Sequence, residues 1–418
     1  MRVKTSCIFI LAIILNFSCS KKNQIHVAQI DDHGILLTNF KVRYQDFLKN
    51  QIQDDNLMNR YLFLNNMIDE TLFLKYAREL SIHDDEEYLK KKEDIEDQLL
   101  LNEYFNKKVS LDFNPTDSEI RNLYKWQNMT IHVRHLFSRD KNNIHELYRR
   151  LKSGEEWEAL AYECFQDSIL KNNGGDLGWH KYGELDTRFE IKAFALNPRE
   201  VSEPIKTKDG YSIIQLIESE LHGFLIEDEY QLRKKKLIDL AKNVRQKQNL
   251  IDLTERTIKS MNVNFDEKVL DKLYQLLQSK QKSIEPFYSD RLVSFNNQNW
   301  NIFQSIEKLS DLSSRQLSRI DSPYYLKEAL LGLIARESFL KDSKKSNLHK
   351  SKLFLDELDK HLNQYLVSSV MKKLKITSPK DSLITQEKIR KRYFSFRNQL
   401  ALKANILVDS VAIKTFIM

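Results

Sequence analysis

The chain has 418 residues, of which 41% are apolar and 30% charged, and its formal net charge is +7. Nine glycines and six prolines over that length, against averages of roughly 7% and 5%, exclude a turn-dense chain and leave long periodic segments that read as helix. At about 100 to 200 residues per domain the length implies at least two domains, and the basic charge is spread over faces of mixed sign. RKKK (Arg233 to Lys236) and KIRKRY (Lys388 to Tyr393) read as solvated helix faces, so nucleic acid is not an expected partner.

In chain order, Arg2 and Lys4 precede the apolar run CIFILAIIL, Cys7 to Leu15. That run is too short for the roughly 20 residues that span a bilayer and reads as a signal-peptide core over residues 1–18. LNFSC (Leu15 to Cys19), followed by polar SKKNQ, resembles a bacterial lipoprotein cleavage site, with small Ser18 before the cysteine and Asn16 departing from the usual small or aliphatic residue. The resemblance implies that Cys19 becomes a lipidated N-terminus on a tether of residues 19–25, and that the chain works in the bacterial cell envelope, held to a membrane by that lipid. Removal of Cys7 and acylation of Cys19 leave Cys164 alone, so no intramolecular disulfide forms.

Residues 26–128 read as a first, mainly helical module. HVAQIDDHGILL (His26 to Leu37) is strand, turn and strand, and Thr38 is expected to cap a helix carrying Phe40, Tyr44, Phe47 and Leu48. Amphipathic helices are expected over Leu57 to Leu80 and Asp84 to Val109, and a Thr116-x-x-Glu119 capping box opens another, to Trp126. Then the period changes. Ile131 to Phe137 alternates as a strand, Asn143 to Leu151 and Glu155 to Glu163 read as helices, and Arg188 to Leu196 and Gly210 to Glu218 as a helix and a strand. Gly154, Gly174, Gly175, Gly178, Gly183 and Gly210 all fall in this island, residues 129–219.

After Glu218 the pattern is helical again. Residues 220–290, with a helix from Glu227 to Leu253, are expected to dock on the first module. Residues 291–418 read as a degenerate repeat of it: LVSFNNQNWNIFQSI follows the strand, turn and helix of VAQIDDHGILLTNF, Tyr325 to Leu348 lies against YLFLNNMIDETLFLKYARELSI (Tyr61 to Ile82), and Ile384 to Phe394 against PTDSEIRNLYKW of the Thr116 helix. The final ANILVDSVAIKTF is matched to the strand HVRHLFS.

VRHLFS, Gly154 followed by EEWEALAYECFQDS, GGDLGW, YGELDTRFE, AFAL and EVSEPIKTKDGYSII, in that order, resemble a parvulin-type (PpiC-type) peptidyl-prolyl isomerase domain over Thr130 to Ile217. The flanking helical segments resemble the SurA/PrsA type of extracytoplasmic foldase and chaperone. What this implies is an α+β chain in which helical modules flank one parvulin domain, a small antiparallel sheet with surrounding helices. It also implies a rotamase, needing no cofactor and no metal, that acts on unfolded or nascent exported polypeptides with X-Pro bonds.

Rotation about a prolyl amide must break C–N resonance, a barrier of about 18 to 20 kcal/mol. An apolar pocket that dries the proline ring, with polar groups favouring the twisted amide, lowers it by differential binding. By the resemblance, Leu177, Leu185 and Phe189 form that pocket, His135 is the first active-site histidine, Thr207 a hydroxyl near it, and Ser168 takes a position that is cysteine in some parvulins. Ser212 stands where the family places a second histidine, on a strand face shared with Ile214 and Leu216. That departure keeps two readings open: a working isomerase, and a parvulin-fold chaperone that only binds unfolded clients. Other chemistries lack their residues. His132 and His135 point to opposite faces of one strand and cannot share a metal, HExxH, CxxC and G-x-S-x-G are absent, and Cys164 reads as a packed structural thiol.

Overall fold

The computed structural model describes residues 25–109, 113–279, 289–374 and 383–417. The expectations for the signal segment, Cys19 and the tether therefore lie outside the described residues, apart from Ile25. In chain order the elements are β1 (His26–Ile30), β2 (His33–Leu36), α1 (Leu37–Gln51), α2 (Leu57–Glu79), α3 (Glu86–Val109), α4 (Asp117–Gln127), β3 (Met129–Ser138), α5 (Lys141–Lys152), α6 (Trp157–Cys164), α7 (Ser168–Asn172), β4 (Asp176–Lys181), α8 (Thr187–Ala195), β5 (Ile205–Lys206) and β6 (Tyr211–Leu221). The chain continues with α9 (Glu227–Ser260), β7 (Asn264–Phe265), α10 (Glu267–Gln278), β8 (Arg291–Phe295), β9 (Gln298–Asn301), α11 (Ile302–Leu309), α12 (Ser314–Leu317), α13 (Pro323–Lys345), α14 (Lys352–Lys373), α15 (Leu383–Lys403), β10 (Ile406–Val408) and α16 (Ser410–Thr415). The architecture is α+β, with helices and, among the described residues, three small antiparallel sheets.

The described residues form two compact units, those up to 99 with those from 349 onward, and those from 100 to 348. They cut across the modules expected from sequence, since the division falls within α3 and after Leu348. In the first unit the sheet order is β10-β1-β2. Its buried face, with Val27, Ala28 and Ile30, meets Phe40 and Tyr44 of α1, Leu64 and Ile68 of α2, and Ile413 and Phe416 from the end of the chain. Further along α2, Phe73 and Ala77 pack with Leu366 and Val370 of α14. Helix α1 differs from expectation at its start: Leu36 is the N-cap and contributes no side-chain bond, and Thr38 sits inside the helix. The reason is the sheet, because β2 runs straight into α1 and the Leu37 amide donates to the Ile25 carbonyl at 2.8 Å. The chain is therefore already helical at Leu37, which puts Thr38 inside the first turn, where it cannot be the cap.

The second unit contains the sheet β4-β3-β6-β5 and the sheet β7-β8-β9. The β3–β6 ladder runs from Met129 opposite Leu221 to Ser138 opposite Tyr211 and divides two apolar cores. On one face Ile131, Val133, Ile214 and Leu216 pack with Phe189, Ala193 and Phe194 of α8. On the other, Leu136 and Ile213 pack with Ile144 and Leu147 of α5 and Trp157 and Leu160 of α6. Strand β4 is not evident from sequence, since Gly178 breaks its alternation and its residues look like turn. The α4 capping box forms as its sequence indicates, with Thr116 Oγ1 accepting from the Glu119 amide at 3.2 Å and the Glu119 carboxylate accepting from the Thr116 amide at 2.8 Å. Helix α9 runs further than the segment read as Glu227 to Leu253, and its docking is specific: Tyr230, Leu237 and Ala241 pack on Ile120, Leu123 and Tyr124 of α4, while Arg121 makes a bidentate pair with Glu227 at 2.8 and 3.0 Å.

One polar cluster in the first unit is placed to be felt. Asp69, buried on α2, accepts from Tyr393 Oη and from Arg397 Nε of α15, each at 2.7 Å, and burial beside that carboxylate pushes the Tyr393 hydroxyl up. Replacing Arg397 with Met strands the carboxylate with one partner and is expected to cost about 2 kcal/mol of stability, the worth of a charged hydrogen bond. All four tryptophans, Trp126, Trp157, Trp179 and Trp300, lie in the other unit. An Arg397→Met chain should therefore lose ellipticity at lower denaturant while its tryptophan fluorescence transition stays in place.

Candidate active site

Strand β3 carries the chemistry-bearing residues on alternate faces. His132 turns away from the α8 face: its Nε2 lies 2.8 and 3.0 Å from the two Asp176 oxygens and its ring lies over Trp179. It has a structural partner. Among the described residues no group of three or more His, Cys, Asp and Glu side chains is placed to hold a metal ion.

His135 faces the α8 side, and its Nδ1 is 3.2 Å from Ser212 Oγ, across the ladder from β6. The register explains the approach. His135 lies opposite Ile214 and Phe137 opposite Ser212, so the two side chains are diagonal neighbours on one face. Three aromatic rings surround the imidazole, with centroids at 5.4 Å for Phe165, 5.7 Å for Phe189 and 6.0 Å for Phe137. Burial in these surroundings disfavours the charged imidazolium and lowers the His135 pKa to about 4. At neutral pH it is an uncharged ring with one donor and one acceptor nitrogen.

The apolar residues expected to form a pocket come together beside it. Phe189 belongs to the buried α8 core, and Leu177 of β4 and Leu185, in the turn before α8, pack partly buried against the same cluster. Thr207 is buried, and both its amide and its hydroxyl donate to the Gly210 carbonyl, at 2.7 and 3.1 Å, so its hydroxyl proton holds the β5–β6 turn. Ser168 stands apart. It is exposed at the start of α7, and the contacts that tie His135 to Ser212 and Phe189 do not include it. Cys164 is partly buried, and burial pushes its thiol up, away from reactivity.

Glu190 is a residue that the motif series does not single out. It is 5% exposed and accepts backbone bonds from Gly183, Glu184 and Leu185, so its carboxylate ties down the turn that presents Leu185. Burial raises its pKa. The one cue is its place next to Phe189 in YGELDTRFE, since a carboxylate amid apolar helix residues needs donors that only a nearby turn supplies. The glycine island is explained in part by Gly175, at φ +72°, where a Cβ would collide with the His135 carbonyl oxygen. The Gly175 carbonyl accepts from the His135 amide at 3.0 Å. The glycine lets this backbone close on the strand that carries the imidazole.

The rim of the site is held by other elements of the same unit. Arg188, next to Phe189 on α8, reaches Glu255 at 2.9 and 3.2 Å and Asp252 at 2.7 Å on α9, and Lys206 reaches Glu255 at 3.2 Å. Tyr325 of α13 donates to Asp209 at 2.9 Å, and the Arg139 guanidinium lies over the rings of Tyr324 and Tyr325, 4.9 and 5.5 Å from their centroids.

Residues 138–218 match the PPIC-type PPIASE domain of the rotamase family. Among curated proteins the chain is 27% identical to foldase protein PrsA 2 of Bacillus cereus over 223 residues, half of this chain and 74% of that protein. It is 32% identical to foldase protein PrsA of a Geobacillus species over 180 residues, 42% of this chain and 62% of that protein. Among solved structures it is similar to NmPin, the parvulin of Nitrosopumilus maritimus, at 36% identity over 21% of this chain and 96% of that one, TM-score 0.20. A structure described with two SurA-like chaperones of Campylobacter jejuni matches at 19% identity over 58% of this chain and all of that one, TM-score 0.28.

Two outcomes are expected of this geometry. Because the folded His135 pKa lies near 4 and its ordinary value is 6.5, the unfolded chain takes up a proton that the folded chain refuses. Stability present above pH 6.5 is therefore lost as pH falls toward 4. Unfolding free energies at pH 7 and pH 5 should show that loss in the wild type and a smaller one in His135→Asn. Gly175→Ala, strained at positive φ and blocked by the His135 carbonyl, should cost at least about 2 kcal/mol in the same measurement.

Proposed function

We propose that this chain, a parvulin-type peptidyl-prolyl isomerase of the PrsA and SurA foldase kind, acts in the bacterial cell envelope on exported polypeptides, turning X-Pro bonds at the His135 site and shielding unfolded stretches elsewhere on its surface. The observation that carries the catalytic part is the neutral, half-buried His135 bonded to Ser212 and walled by Phe189. A prolyl ring set against Phe189, Leu177 and Leu185 leaves water, and the planar amide loses more by that transfer than the twisted one, whose nitrogen is a better hydrogen-bond acceptor. The imidazole supplies polarity without a charge to desolvate. Ser212 takes over the orienting bond of the family's second histidine. Cys19 would be the lipid attachment that keeps the protein at a membrane. No helix among the described residues is long and apolar enough to cross one.

The chaperone part rests on exposed apolar residues rather than on the aromatics that stand out in the sequence. Phe40, Tyr44, Phe63, Tyr104, Trp300 and Phe339 are buried in the cores, so they take no part in such contact. The exposed apolar residues include Val42, Leu57, Met58 and Leu62 on α1 and α2, and Leu221, Phe224, Leu225, Ile226 and Leu232 where β6 passes into α9. At about 25 cal/mol per Å² of apolar area covered, these suit weak, sequence-tolerant contact with unfolded chains.

A second reading is favoured by Ser212 itself: a domain that binds prolyl segments without turning them. A protease-free X-Pro peptide assay separates the two. On the first reading the wild type accelerates isomerisation, His135→Ala removes most of the acceleration, and Ser212→His, which restores an imidazole partner, raises the rate about 10-fold or more. A wild type with no acceleration leaves the binding reading. An active wild type that Ser212→His slows would show that the orienting role assigned to Ser212 is wrong. Independently, Phe224→Ser with Leu225→Ser and Leu232→Ser should weaken suppression of aggregation of a denatured model protein while peptide turnover is unchanged.

A further inference from the structure

Two stretches of the chain fold the same way. The hairpin β1–β2 turns at Asp31 with φ +51°, the hairpin β8–β9 at Asn296 and Asn297 with φ +42° and +60°. Each hairpin runs directly into a helix whose first amide donates back to the residue before the hairpin, Leu37 to Ile25 and Ile302 to Asp290. Next come α2 and, after the extra short helix α12, α13, 23 residues each, N-capped by Asn56 and Ser322. Each is succeeded by a left-handed residue, Ser81 at φ +51° and Asn347 at φ +55°, and by a 3₁₀ turn, Ile82–Asp84 and Leu348–Lys350, before α3 and α14.

The ends also correspond. NVNFDEKVLDKL, Asn262 to Leu273, and NILVDSVAIKTF, Asn405 to Phe416, each form a short strand and then a helix capped by an aspartate. Asp266 accepts from the Lys268 and Val269 amides, Asp409 from those of Val411 and Ala412. Buried Leu270 and Leu273 answer to buried Ile413 and Phe416. The last segment thus matches β7–α10 and not HVRHLFS, and α15, which leads into β10, matches the end of α9 and not the Thr116 helix.

The decisive observation is which hairpin each closing strand joins. Strand β10, from the end of the chain, pairs with β1, Leu407 opposite Gln29 and Val408 opposite Ala28. Strand β7 pairs with β8, Asn264 opposite Ser294 and Phe265 opposite Val293. The registers coincide position for position, down to the bond from the Asp409 amide to the Val27 carbonyl and its counterpart from Asp266 to Leu292. The helices obey the same rule: α14 and α15 pack on α2, while Tyr104 and Phe105 of α3 pack on Phe339 of α13.

We propose that residues 289–417 are an internal copy of the first half that has no isomerase domain of its own and serves as a built-in partner subunit, each half closing the other's sheet. In the first half, α4, the isomerase domain and most of α9 stand between α3 and β7. In the second, residues 374–382 alone stand between the end of α14 and α15. The copy has specialised as a support. Tyr324 and Tyr325, which hold the rim of the isomerase site through Arg139 and Asp209, occupy the positions of Met58 and Asn59 on α2. The pairing of halves stands on backbone register and is independent of whether the site turns over prolyl bonds.

Cysteine pairs in the full chain test it, since directly opposed strand residues lie within disulfide reach. With Cys164→Ser throughout, Gln29→Cys with Leu407→Cys and Asn264→Cys with Ser294→Cys should each link on mild oxidation, as mapped by peptide mass. Gln29→Cys with Asn264→Cys, and Ser294→Cys with Leu407→Cys, should not. The opposite pattern, each half closing itself, overturns the proposal, as does absence of the first two links in chains that melt cooperatively. A protease site placed within residues 280–288 gives a second measurement that needs no cysteine. The cut halves should co-elute natively and part only in denaturant, and separation without denaturant would equally overturn the proposal.

Discussion

The β3–β6 ladder is the constraint on which the site depends. It sets Ile131, Val133 and Ile214 toward α8 and Leu136 and Ile213 toward α5 and α6, and in the same act sets His135 and Ser212 on one face and His132 on the other. A slip of one residue would exchange both cores and send the imidazole to the wrong side. Because each face buries a full set of branched and aromatic side chains, that slip is strongly penalised. Packing on two sides fixes the register, and the register places the polar pair.

Burial then decides the chemistry of His135. The same rings that make the face apolar, Phe137, Phe165 and Phe189, push its pKa well below neutrality. A carboxylate partner would pull the other way and make an imidazolium, which would have to be desolvated around every substrate. Ser212 does not: a hydroxyl can donate to Nδ1 or accept from it, so it can orient a neutral ring without charging it. The carboxylate of the region, Glu190, is spent on backbone amides of the turn at Leu185, where it shapes the pocket wall instead of the proton inventory.

What is local or periodic is legible in the sequence. The strand at Ile131, the helices at Leu57 and Asp84, the Thr116 capping box and the shared face of Ser212, Ile214 and Leu216 follow from spacing of two and near four and from cap chemistry. The motif series from VRHLFS to GYSII names His135, Ser212 and Phe189 together, and the structure brings them to one place. It leaves Ser168 exposed and apart, and it gives the Thr207 hydroxyl proton to Gly210. Strand β4 escapes a reading by period because a glycine interrupts its alternation. Thr38 looks like a cap because the bond that starts the helix one residue earlier, from the Leu37 amide to the Ile25 carbonyl, comes from across a hairpin.

The least legible features are the two closing strands. Asn264–Phe265 and Ile406–Val408 are two and three residues long, too short for any period, and each finds its partner across a stretch of chain that carries its own helices. Local propensity cannot specify such a pairing. The residues just after each strand specify it: an aspartate that starts a helix at a fixed distance from the strand, and two apolar residues, one turn apart, that enter a core only if the strand sits in one register. The short strand is the seam and the helix the lock, and the sequence carries the lock twice. Its second appearance, at Asp409, Ile413 and Phe416, is intelligible only beside the first, at Asp266, Leu270 and Leu273, which is why comparing the chain with itself discloses more about its closure than reading either segment alone.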